Sequence, residues 1–296
     1  MDALLLSRST ITVYGHRGAR EDDNGDTIVE NTLDAFLAAQ RGEGGVGIEF
    51  DVWMTKDNVV VVHHDATLAR LSALGESDDR RVDETNYDDL PQLRDAATGK
   101  LYRIPTMKEV LDATVTTTEM IVELKGKTYA LVEAVHRLLT RAGRIGSCES
   151  RTIWFSLDAK VNAMLKHYDP TLQRVSSGQD VLLVVLAFYT GLLSFLDLKS
   201  RFDIFGLPLN CVDVNTFRTV FPAMPSAMCS VLAYIFGGDP PPLLARRELV
   251  NSLHQRGIPT IVLGADTHRS LSTCVHVNPD AIVSFRPAWV ASALVS

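Results

Sequence analysis

Cysteine is scarce. The chain has four among 296 residues, Cys148, Cys211, Cys229 and Cys274, and no two stand in a C-x-x-C or finger-like spacing. That argues against a zinc framework and a disulfide scaffold, and it fits a reducing compartment. Positive charge is also in deficit, with 29 Lys and Arg against 36 Asp and Glu, a net charge of -7, and no basic stripe. A general nucleic-acid binder is therefore not expected, although a local cluster of Arg and Lys can still receive a phosphate. The first ten residues, MDALLLSRST, lack a basic n-region and do not read as a signal peptide, which points to an intracellular location, cytoplasmic or peripheral on a membrane. One apolar stretch stands out, residues 181–196, VLLVVLAFYTGLLSFL, without a charge. As a helix it would span ~24 Å, short of the ~30 Å hydrocarbon core, and Gly191 and Ser194 weaken a spanning role. It reads either as a buried helix closing a core, as an apolar surface making peripheral membrane contact or accepting an acyl chain, or as a span.

The chemistry sits in residues 46–65, VGIEFDVWMTKDNVVVVHHD. Two strands are expected here with a short connection between them. Side chains alternate along a strand, so Glu49 and Asp51 point the same way, either as a solvated face or as ligands that share one cation. The second strand delivers His63, His64 and Asp65 at its end. Upstream, an apolar strand over 11–16 ends in Gly15-His16-Arg17-Gly18. Strand ends that carry His-Arg, Glu-x-Asp and His-Asp suit a barrel whose active site lies at the C-terminal ends of its strands.

These pieces resemble the glycerophosphodiester phosphodiesterases. That family has a strand ending in HRG, then ENT opening a helix, then E-x-D-x-x-x-T-x-D, then HD-x-x-L-x-R. The chain reads GHRG at 15–18, ENTLDAF at 30–36, EFDVWMTKD at 49–57 and HDATLAR at 64–70. Further on, MIVELK at 120–125 is similar to the family's E-x-K strand end; from the segment alone, Glu123 and Lys125 could equally be a surface ion pair. The resemblance implies Glu49, Asp51 and Glu123 as ligands of one divalent cation, Mg²⁺ or Ca²⁺. It implies Arg17 and Lys125 at the substrate phosphate, and His16 and His64 as general acid and base. Alternation turns His63 to the other face. Glu30 is placed beside the site, but as a helix N-terminal charge and not a ligand. The apolar 181–196 stretch, followed by DIFGLPLN, is similar to eukaryotic members that act on lysophospholipids or phosphatidylglycerol, so the partner is a small-molecule or lipid phosphodiester.

The resemblance loosens toward the C-terminus. Residues 258–266 contain no Trp where the family has one, and DAIVSFRP places Phe285 where the family has an Asp. Two other readings remain. A phospholipase D or sphingomyelinase D of the toxin type shares E-x-D, but it carries an H-G-x-P-C-x-C motif where this chain has HHDATLAR. A catalytically silent, lipid-binding barrel would be expected to have lost a ligand or a histidine, and none is lost here.

Along the rest of the chain, a helix is expected from Leu33 to Arg41, capped by Asn31 or Thr32 and ended by Gly42, Gly44 and Gly45. Residues 66–103 read as a polar insertion after the second or third strand. A helix should begin around Pro105, and others should follow Leu131 and Asp158 and cover 243–255. Strands are expected at 120–125, 152–156, 172–175, 203–207, 258–263 and 280–284, with loops and one short apolar helix over 222–242. About eight strands, several followed by helices and with no linker between them, predict an α/β fold. The form expected is a single (β/α)8 TIM barrel over 1–296.

Overall fold

The computed structural model describes residues 11–295 except 23–24, 42–45, 146–151, 209–217, 219, 221–224, 227–228 and 231–245. The first ten residues, Gly42, Gly44, Gly45, Cys148, Cys211 and most of 222–242 lie outside the described residues. The chain divides into two compact units, Tyr14–Trp154 with Phe285–Ser296, and Met1–Val13 with Phe155–Ser284.

The first of these units is built on parallel strands. Strands β1 (Thr12–His16), β2 (Gly47–Met54) and β6 (Met120–Leu124) lie side by side, joined by crossovers that include helices α1 (Leu33–Arg41) and α2 (Met107–Ala113). Helix α3 (Tyr129–Arg141) then leads toward β7 (Thr152–Phe155). Strand β2 is buried on both faces, as a parallel strand covered by helices should be. Ile48, Phe50 and Val52 form one face, where Phe50 meets Phe36 of α1 edge-on at 5.7 Å. Glu49 and Asp51 form the other.

Strand β3 (Val60–Val62) departs from the barrel expectation. It pairs antiparallel with β2, Trp53 opposite Val61, and so is the return arm of a hairpin. The reason is length: a handful of residues turning through Asn58 at φ 64 cannot make the crossover that a parallel partner requires. Residues 66–103 form an excursion with its own apolar centre. Leu68, Val82, Leu93, Tyr102 and Ile104 pack against Trp53 and Val61, and β4 (Leu93–Arg94) pairs with β5 (Leu101–Tyr102). Helix α2 starts two residues later than expected. Pro105 precedes it, and Thr106 with Glu109 makes a reciprocal capping box.

The second unit holds α4 (Ala159–Tyr168), β8 (Gln173–Arg174), α5 (Gly178–Tyr189), β9 (Phe205–Pro208), α6 (Arg247–His254), β10 (Thr260–Leu263), α7 (His268–Val277) and β11 (Ala281–Ser284). Strands β9, β10 and β11 are parallel neighbours. The 181–196 stretch is not one helix. Helix α5 opens on a Ser177–Asp180 capping box, ends at Thr190, and is followed by Gly191 at φ 72 and a short turn of helix. One side of it is core, with Val184, Val185, Ala187 and Leu193 buried. The other leaves Leu186, Tyr189, Leu192 and Phe195 exposed, Phe195 by 80%. No helix among the described residues is long and apolar enough to cross a membrane. Helix α7 was not anticipated, although Leu271, Cys274 and Val277 repeat at helical spacing behind the Thr267 cap.

Candidate active site

Register brings the site together. Tyr14, Gly15 and His16 of β1 stand beside Gly47, Ile48 and Glu49 of β2, and Asp51 stands beside Glu123 of β6. Because side chains alternate, His16, Glu49, Asp51 and Glu123 share one face of three adjacent strands. Glu49, Asp51 and Glu123 are all buried and offer one oxygen each within 4.8 Å of one another. Three carboxylates this close repel. Burial, and then the charges of Asp51 and Glu123, push the Glu49 carboxyl well above the usual range. Glu123 is raised by burial and by Asp51, against the pull of Lys125. Asp51 goes the other way: Lys125, His64 and Arg17 overcome its burial, and its carboxyl stays ionised far below the usual range. A buried set of hard oxygen donors with surplus negative charge fits a divalent cation.

Two cations border the carboxylates. The Lys125 ammonium lies 2.8 Å from Glu123 Oε1 and 3.1 Å from Asp51 Oδ1. Arg17 sits just past β1 in the left-handed region, φ 57, which aims its backbone N–H at Glu49 Oε2, 2.9 Å. Its Nη1 donates to Glu30 Oε1 at 2.8 Å, and its Nε lies 3.4 Å from Asp51 Oδ2. The expected fork is thus partly engaged.

The two histidines differ in how they are held. His64 Nδ1 meets Asp65 Oδ1 at 2.7 Å, and Asp65 Oδ2 accepts from Arg70 Nε at 2.6 Å. Those hydrogen bonds outweigh burial and hold the Asp65 carboxyl at about 2. Trp53 Nε1 donates to the His64 carbonyl at 3.2 Å, pinning the backbone there. The imidazole of His16 makes no side-chain hydrogen bond among the described residues, and its Nδ1 is buried. Burial and the neighbouring Arg17 charge push its pKa well below the ordinary value, so it is neutral near pH 7. His63 is turned away and buried, its Nε2 3.4 Å from the Thr67 carbonyl.

Several supporting residues were not read as such from the sequence. Glu30 is buried and accepts from Arg17, Arg20 and Arg70 at once; those charges, against its burial, keep it ionised far below the usual range. Asn31 donates from Nδ2 to Asp51 Oδ2 at 2.8 Å, while Thr32 takes the helix-capping role. The motif pieces ENT and HD-x-x-L-x-R are therefore one network. Its cross-connections, such as Arg70 returning on both Asp65 and Glu30, have no sequence spacing that reveals them.

The Glycerophosphoryl diester phosphodiesterase family model matches residues 16–201, more than half of the chain. The chain is 27% identical over 282 residues to the lysophospholipase D GDPD3 of Homo sapiens, which covers 91% of this chain and 82% of that protein. It is 29% identical over 204 residues to the human lysophospholipase D GDPD1, covering 66% of this chain and 60% of that one. Among solved structures, a putative glycerophosphodiester phosphodiesterase from Galdieria sulphuraria superposes with a TM-score of 0.67 at 16% identity, over 97% of this chain and 98% of that one. An Oleispira antarctica phosphodiesterase in complex with the product sn-glycerol-3-phosphate superposes with a TM-score of 0.64 at 18% identity, over 96% and 97%. These likenesses show the fold, an α/β barrel.

Proposed function

The chain belongs to the glycerophosphoryl diester phosphodiesterase family, and from that premise we propose that it hydrolyses a lysophospholipid-like phosphodiester by a two-histidine mechanism. One observation carries this reading: the buried carboxylates Glu49, Asp51 and Glu123 share a face with His16 and are bordered by Arg17, His64 and Lys125. Glu49, Asp51 and Glu123 would hold one divalent cation, Mg²⁺ or Ca²⁺, which when bound neutralises phosphoryl oxygen charge and acidifies an attacking hydroxyl.

The chain's own groups divide the remaining work. Arg17 Nη2 and the Lys125 ammonium draw the non-bridging oxygens into place. His16, held neutral, takes the proton from the attacking oxygen as it bonds to phosphorus. His64, oriented by the Asp65 carboxylate, gives a proton to the leaving alkoxide as its P–O bond breaks. Where the glyceryl group carries a free neighbouring hydroxyl, that hydroxyl can attack first, and water then opens the cyclic phosphate. Otherwise water attacks directly.

Two observations support the lipid and the side of cleavage. The relatives are lysophospholipases D, and the Oleispira enzyme's product is sn-glycerol-3-phosphate, so the bond on the head-group side is the one proposed here. The exposed face of α5 and the turn after it, Leu186, Tyr189, Leu192 and Phe195, suits contact with an amphiphile or a bilayer surface. The test assays lysophosphatidylcholine, glycerophosphocholine and phosphatidylglycerol with Mg²⁺, Ca²⁺ or EDTA, beside His16→Ala. Choline release from lysophosphatidylcholine, lost in EDTA and in the variant, is expected. Turnover that survives both would overturn the mechanism.

A further inference from the structure

We infer that Phe285 is the positioning residue of His16, an inference that rests on the function proposed above. The two rings stack with centroids 4.2 Å apart and planes at 26°. This is the only ring contact of His16 among the described residues, and no hydrogen bond supplements it. A catalytic imidazole is ordinarily oriented by a hydrogen bond on the nitrogen that faces away from the substrate, as Asp65 orients His64. His16 Nδ1 is buried with no hydrogen-bond partner among the described residues. Packing alone therefore sets the plane of the ring and the direction of Nε2, and Phe285 supplies the flat surface.

Phe285 is itself held. Its carbonyl accepts from the Arg20 backbone N–H at 3.0 Å, and the Arg20 guanidinium carbon lies 3.7 Å from the ring centroid. Two planar groups can approach one centroid this closely only from opposite faces, so imidazole, phenyl and guanidinium form a three-layer stack. The outer layer is tied down, because Arg20 donates to buried Glu30. The position is one where the chain departs from its family's sequence pattern, with an aromatic ring in place of a carboxylate. An apolar ring cannot ligate a metal or move a proton. It can fix a neighbouring plane and keep water from it.

The experiment compares wild type, Phe285→Leu and Phe285→Tyr on whichever of glycerophosphocholine or lysophosphatidylcholine the wild type hydrolyses. It also records the His16 ring proton resonances, assigned by their loss in His16→Ala. Leucine keeps apolar bulk without a flat face; tyrosine keeps the face. Phe285→Leu should lower kcat roughly 10- to 100-fold with KM nearly unchanged, the cost of a slightly misaimed group, and Phe285→Tyr should restore it. The His16 resonances, displaced upfield by the phenyl ring current, should move downfield in Phe285→Leu and return in Phe285→Tyr. A Phe285→Leu enzyme with wild-type kcat, or equal losses in both variants, would overturn the inference. So would His16 resonances that ignore the substitution. A wild type that turns over nothing while its His16 signals respond to Phe285→Leu would remove the proposed function and keep the stack.

Discussion

Individual residues do more than one job here, and their substitutions should separate those jobs. Removing either imidazole, His16→Ala or His64→Ala, is expected to cost about 10²- to 10⁴-fold in kcat, read from steady-state turnover, whereas His63→Ala should leave kcat near wild type, because His63 faces Thr67 and not the carboxylates. The sign of the pH effect at His16 follows from its lowered pKa. Below about 6.5 the unfolded chain takes up a proton that the native His16 refuses, so stability contributed by this group is present above that pH and is lost as pH falls beneath it. Gly18 is confined to glycine for two reasons. Its φ is 87, and a Cβ there would lie 2.6 Å from the Ala35 backbone. Gly18→Ala should destabilise by more than about 1 kcal/mol in urea unfolding. The residues legible in the sequence were those whose chemistry is intrinsic: two histidines, three acids, an arginine and a lysine. Phe285, Asn31 and Arg20 matter through what they touch, and contact is set by folding, not by residue type.

At the scale of elements, β2 and β6 carry the three carboxylates that would hold a cation. Glu49 has a raised pKa through burial and the charges of Asp51 and Glu123, and Glu123 through burial and the charge of Asp51. Without a cation, the stability they contribute is complete below about pH 4.3 and declines as pH rises through their raised values. A divalent cation competes with those protons, so its effect should grow with pH. At a hundredfold excess over Kd near pH 8, Mg²⁺ or Ca²⁺ is expected to raise Tm by roughly 5–10 °C, less at pH 5.5 and not at all in Asp51→Asn; calorimetry with EDTA as the blank decides it. The E-x-D motif was readable because alternation on a strand is a local rule. The antiparallel turn of β3 was hidden in the same twenty residues. Val59 to Val62 is equally apolar either way, and only the brevity of the connection distinguishes a hairpin from a crossover. For the same reason α5 divided where a hydropathy pattern ran on: Thr190 and Gly191 end the helix, but apolar residues continue past them.

For the molecule as a whole, the α/β class followed from strands and helices in alternation, and the structure bears that class out. Unanticipated α7 and the hairpin β3 show where the count was insecure, since neither changes composition much. The exposed apolar row along 186–195 gives a whole-molecule prediction. Replacing Leu192 and Phe195 together by Ser should leave hydrolysis of a soluble diester and the melting temperature near wild type, because both side chains are exposed. It should lower sedimentation with vesicles and turnover of a vesicle-borne lysophospholipid. Equal losses on both substrates would mean that the row serves the fold instead.

Glu30 leaves a different kind of consequence. One arm runs from it through Arg20 and Phe285 to His16, and the other through Arg70 and Asp65 to His64. The two histidines are thus tied through contacts to a common carboxylate. Damage to that carboxylate should not subtract one function and spare the other. Glu30→Gln, by removing the carboxylate that Arg17, Arg20 and Arg70 share, should lower stability in urea unfolding, and in a double-mutant cycle its loss should mask further injury to either arm. Selection acting on this enzyme would then meet the two histidines as one inherited unit, not as two parts that can drift separately.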